Sequence, residues 1–96
     1  MEKIRGIKCS TFHISKDDAE IFCECSRREG YWLHDTHYGY LLVLSGYKYP
    51  CLKLKGLGIS KSVRKLVFRL MREQGVEILL FDRDADTLEG FETFAW

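Results

Sequence analysis

SKSVRKLVFRLMREQGVEILLFD, residues 60–82, is the stretch from which the fold is read. Ser60 offers an N-cap hydroxyl, and Gly75 suits the position just past a helix end. Between them Val63, Leu66, Val67, Leu70 and Met71 recur at helical spacing, with Ile59 just ahead of the cap. The spacing predicts an amphipathic helix over Lys61–Gln74. Gly75 then hands the chain to Val76–Asp82, where Val76, Ile78 and Leu80 alternate with Leu79 and Phe81. A strand that is apolar on both faces has to be covered on both faces.

Working back from there, Tyr38–Ser45 reads as another two-sided strand. Tyr38, Tyr40, Leu42 and Leu44 face one way, and Leu41 and Val43 the other. Tyr31–Asp35 reads as its hairpin partner, with Thr36 and His37 near the turn. Lys16–Glu29 reads as a first helix. Ser15 caps it, Asp17 and Asp18 suit its positive end, and Arg27 and Arg28 precede Gly30 at its negative end. Lys8–Ile14 is the first strand. Residues 51–58 alternate apolar and basic, which predicts a short extra strand or a segment wrapping the edge.

The resulting order is βαββαβ. It predicts one α+β domain over residues 1–96, a ferredoxin-like two-layer sandwich whose antiparallel sheet carries two helices on one face. Two helices shield only one side of the sheet. The second side then needs the C-terminal tail (Leu88, Phe91, Phe94, Trp96), a second copy of the chain as a homodimer, or a foreign protein.

Composition narrows the function. Fifteen basic residues against 14 acidic give a net charge of +1, which disfavours a dedicated nucleic-acid binder. No apolar run is long enough for a membrane span, and Met1–Gly6 lacks the apolar stretch of a signal peptide. The expectation is a cytoplasmic protein with its cysteines (9, 23, 25 and 51) reduced.

Four groups of residues bear chemistry. Asp82, Asp84 and Asp86 alternate after the last strand. Three carboxylates there suit a hard cation and a metal-dependent hydrolase, but the spacing fails the EF-hand pattern and fits an acidic turn better. Cys23, Cys25, His34 and His37 spell a zinc-like string, but two helical cysteines two apart diverge. Lys61, Arg64, Lys65, Arg69 and Arg72, with Lys53 and Lys55, make a basic face. Tyr38–Val43 sits where an RNA recognition motif carries its base-stacking aromatics, without the leading basic-glycine pair.

No nucleophile–base pair and no phosphate loop accompanies these groups, so neither a cofactor nor a catalytic set is expected. The reading favoured is a non-enzymatic module that docks on a protein. Its contacts are Tyr38, Tyr40, Tyr47 and Tyr49, with Lys61, Lys65 and Arg72. RNA or single-stranded nucleic acid bound through Tyr38, Tyr40, Lys61, Lys65 and Arg72 is the alternative.

Thr11-Phe12-His13-Ile14-Ser15, Leu80-Phe81-Asp82-Arg83-Asp84-Ala85 and Phe91-Glu92-Thr93-Phe94-Ala95-Trp96 resemble the two ends of a family of small bacterial proteins. Its members carry an aspartate-bearing last strand and a short tail closing on tryptophan, and occur in mobile DNA such as plasmids and phages. The resemblance spans both ends and not the basic middle. It implies no catalytic residues. It does imply an accessory protein of a mobile element that binds a host protein, with inhibition of a host defence system as one such role.

Overall fold

The computed structural model describes residues 1–95. In chain order the elements are β1 (Gly6–Ser10), α1 (Lys16–Arg28), β2 (Leu33–Thr36), β3 (Gly39–Val43), α2 (Pro50–Leu57), α3 (Lys61–Gln74) and β4 (Ile78–Asp82). Short 3-10 turns follow β1 at Thr11–His13 and β3 at Leu44–Gly46. Trp96, expected in the apolar tail, lies outside the described residues.

The α3 helix has the bounds its sequence predicts. Ser60 Oγ accepts the Val63 N–H, and Gly75 closes the helix at φ 63°, the left-handed conformation glycine adopts without penalty. Its cap is also tied to the other long helix. Asp18, buried in the first turn of α1, accepts the Ser60 N–H at 2.8 Å and the Ser60 hydroxyl at 2.6 Å. A charged acceptor at a buried helix start contributes about 1.5–3 kcal/mol per hydrogen bond.

The sheet corrects the expected topology. Its order is β1-β4-β3-β2, with β1 parallel to β4 and the other neighbours antiparallel. It is therefore mixed rather than antiparallel, and the ferredoxin-like arrangement is not cleanly met. Residue chemistry explains the positions. The strand β4 (ILLFD) is apolar on both faces and takes an interior place. The strand β1 (GIKCS) offers only Ile7 and Cys9 as apolar side chains and suits an edge.

Residues 50–57 are a helix, not an extra strand. Pro50 stands in the first turn, where its missing N–H costs nothing, and Gly58 at φ 90° ends the helix. Cys51, Leu54 and Leu57 share one face, and only that face is covered; Leu52 is exposed. Over eight residues a two-residue alternation and a helical stripe coexist, and packing of α2 against α3 decides between them. Three helices thus form the second layer.

On the covered side of the sheet Leu33, Leu42, Leu79, Phe81 and Cys9 join Phe22, Leu54, Val63, Leu66, Val67 and Leu70 in one core. Phe22 of α1 lies against both Tyr40 and Phe81 at ring-centroid distances of 5.6 and 6.1 Å. On the far side, Lys8, Leu80, Leu41 and His34 form one cross-strand row, and Leu41, Ile78 and Leu80 are only half-buried.

The described part of the tail packs elsewhere. The Ser10 N–H donates to the Asp86 carbonyl, and the Phe94 N–H donates to the Phe12 carbonyl. Phe91 packs edge-on to His13 with the Arg69 guanidinium over its ring. The tail therefore rests on the Thr11–His13 turn and α3.

Candidate functional site

Two aromatic clusters with charged partners stand out, and their local chemistry differs. The first joins α1 to α2. Glu29, just past the end of α1, accepts Lys53 Nζ at 2.7 Å, the Tyr31 and Tyr47 hydroxyls at 3.2 Å each, and the Cys25 thiol at 3.1 Å. The two tyrosine hydroxyls also hydrogen-bond to each other. The Lys53 ammonium and then the Cys25 thiol hold the Glu29 carboxyl down at about 2. Burial first, and then Glu29, push the Cys25 thiol up to about 11. Tyr47 also lies edge-on to the buried Trp32, at 5.2 Å. This cluster is closed on itself.

The second cluster lies where β1 and β4 end side by side. Beyond Ser10 the chain turns and presents Phe12. Beyond Asp82 it presents Arg83, whose N–H donates to the Tyr38 carbonyl at 2.9 Å and fixes the β2–β3 hairpin tip. Phe12, Asp35, His37, Tyr38, Tyr40 and Arg83 line an open cavity of about 370 Å³. The Arg83 guanidinium stands 4.8 Å from the Tyr38 ring centroid, and His37 meets the same ring edge-on at 4.7 Å. Phe12 is 52 % exposed and Tyr38 45 %. Burial, followed by the nearby Cys23 and Asp35, raises the Tyr40 hydroxyl above its ordinary value. Neither Asp35 nor Arg83 has an ion-pair partner among the described residues.

Gly39 makes this corner possible. A Cβ at Gly39 would fall 1.8 Å from the Phe81 carbonyl oxygen, so β3 crosses β4 more closely there than any side chain permits. The cavity floor is therefore built on closely paired β3–β4 backbone, while the Phe12 and Tyr38 rings are about half-exposed.

The expected site residues separate on this frame. Tyr38 and Tyr40 meet in the cavity. Tyr47 belongs to the closed Glu29 cluster. Tyr49 is exposed, with Lys48 Nζ 5.6 Å from its ring centroid. Lys61, Lys65 and Arg72 are exposed on α3. Lys65 lines a different, smaller cavity of about 150 Å³ with Arg69 and Phe91. None of these three cations joins the aromatic corner.

The carboxylates after β4 build a turn. Asp82 Oδ1 accepts the Asp84 N–H at 2.8 Å, and the Asp82 carbonyl accepts the Ala85 N–H. Among the described residues no three His, Cys, Asp or Glu side chains converge as a metal site, in the Asp82–Asp84–Asp86 run or around Cys23, Cys25, His34 and His37. All four cysteines are free.

Sequence reasoning missed Phe12 and Arg83. A large apolar residue just past a strand, and a cation just past the neighbouring strand, become one site only through the parallel β1–β4 pairing.

Residues 6–96 match the model of a family of unknown function, the DUF5983 C-terminal domain, and the chain belongs to that family. No curated protein and no solved structure matches it.

Proposed function

We propose that this family member is a non-enzymatic binding module that docks on a protein through the corner formed by Phe12, Tyr38 and Arg83. One observation carries the reading. Two half-exposed aromatic rings and an arginine with no ion-pair partner among the described residues surround an open concavity, the composition and shape in which binding energy concentrates. Asp35 on the opposite wall adds a charge of the other sign, which selects orientation. Catalysis finds little support in the thiols: burial raises Cys9 to about 12 and Cys25 to about 11, far from a reactive thiolate.

The partner proposed is a host protein. The chain would act in the cytoplasm on behalf of a plasmid or phage, inhibiting a component of a host defence system. The likeness of the two chain ends to proteins of mobile DNA supports this, and the four unpaired thiols suit a reducing compartment. A homodimer through the far side of the sheet is the weaker arrangement. Four strands of about five residues offer roughly 300 Å² of plan area, against about 800 Å² per partner in a standard interface.

The test is capture from host lysate with wild-type protein and with Phe12→Ala, Tyr38→Ala and Arg83→Ala combined. A stoichiometric protein held by the first and lost by the second is expected. Capture that survives all three substitutions sinks the reading. Oligonucleotide retained at low salt and released by the same substitutions would transfer the corner to nucleic acid, since exposed Tyr38 and Phe12 also suit base stacking.

A further inference from the structure

His13 is buried at 1 % exposure, and both of its ring nitrogens are engaged with the tail. The Leu88 N–H donates to Nε2 at 2.8 Å, so Nε2 must carry the lone pair. The ring proton then sits on Nδ1 and is donated to the Glu92 carbonyl, 2.9 Å away. One tautomer of the neutral ring satisfies both contacts. A second proton would enter at Nε2 and set two N–H groups against each other.

The adjacent residue is Phe12, whose carbonyl accepts the Phe94 N–H at 2.7 Å. The short Thr11–His13 turn thus carries the docking ring and the tail latch on neighbouring residues. We propose that His13 is a positioning residue: its neutral ring clasps the C-terminal tail, the clasped tail holds Phe12 at the docking corner, and protonation of the ring loosens both. This rests on the reading of Phe12 as an anchor.

From the tail, Phe91 stacks edge-on to the imidazole, and Arg69 of α3 sits beyond it, 4.6 Å from the Phe91 centroid. Lys65 and Arg69 of α3 share a small cavity with Phe91 and Glu92. The titratable groups of the tail are Asp86, Glu89 and Glu92, and among the described residues none of their carboxylates hydrogen-bonds the ring.

The experiment needs no partner. Nitrogen NMR of the wild-type ring at neutral pH is expected to show the Nδ1–H tautomer, and an Nε2–H ring overturns the proposal. Amide exchange, corrected for intrinsic rates, is then followed from about pH 7.5 to about pH 5, the span in which histidines ordinarily change charge. Protection at Leu88 and Phe94 is expected to fall about tenfold or more, as the lost hydrogen bonds imply, while Val67 and Leu70 hold. The Phe12 ring resonances are expected to move with the same midpoint.

His13→Gln, which keeps a donor and an acceptor but gains no proton there, is expected to abolish the pH response. Unchanged tail protection, or tail release with Phe12 signals fixed, overturns the proposal. If that variant does not fold, the midpoints of His13 titration and tail release in wild-type protein decide, and a mismatch overturns it. Failure of lysate capture leaves these readouts intact and counts against the docking reading alone.

Discussion

The Glu29 cluster and the Phe12–Tyr38–Arg83 corner use the same ingredients, tyrosines beside charges, to opposite ends. At Glu29 one carboxylate receives a lysine, two phenols and a thiol. At the corner, Asp35 and Arg83 have no ion partner among the described residues, Asp35 accepts the Cys23 thiol at the long distance of 3.8 Å, and Phe12 and Tyr38 are about half-exposed. A polar group already satisfied inside the chain gains little from a partner, whereas an unpaired one beside exposed aromatic surface gains on contact. Aromatic content alone therefore does not mark a site; the state of the neighbouring polar groups does.

The largest expected effect tests the corner's backbone. Gly39→Ala puts a methyl group into the Phe81 carbonyl and is expected to cost about 3 kcal/mol or more in urea unfolding. A loss below about 1 kcal/mol would mean that the corner is pliable rather than preformed.

Next, Glu29→Ala strips four donors of their acceptor. It is expected to cost about 2 kcal/mol, read as a lower denaturation midpoint. If Tyr38→Ala costs as much, the contrast between a closed cluster and an open corner is lost.

Acid sharpens the same point. The Glu29 carboxyl is held from its ordinary 4.5 down to about 2, so its contribution is present above 4.5 and disappears as pH falls through about 2. The wild-type stability advantage over Glu29→Gln is expected to shrink across that window in urea titrations at successive pH values. A constant gap would show that the ionised carboxylate contributes nothing.

The smallest effect on stability belongs to the corner's rings. Phe12→Ala and Tyr38→Ala are each expected to shift stability by less than about 1 kcal/mol while abolishing capture of a partner.

Much of the framework was legible in the residues. Ser60 and Gly75 bracket α3, Ser15 caps α1, and β3 and β4 carry the two-sided apolar pattern. The stretch after Pro50 was not legible, because Cys51–Gly58 satisfies a strand period and a helix stripe together. Tyr38 and Tyr40 were found at the site because residues two apart at one hairpin stay together in any topology. Phe12 and Arg83 were not, since 71 positions of chain separate them. His13 carried no signal at all, because its partners are the backbone N–H of Leu88 and the carbonyl of Glu92.

By itself the amino-acid sequence determined many of the local choices: where α1 and α3 begin and end, and which strands are apolar on both faces. Caps, glycines and periodicity act over a few residues, so their physics is complete within the segment. Only the tertiary structure decided that β1 lies beside β4, that the tail clasps α3 and the first turn, and that Phe12, Tyr38 and Arg83 share a cavity. Those outcomes depend on which of several equally apolar surfaces meet, and that is settled by packing across the whole domain.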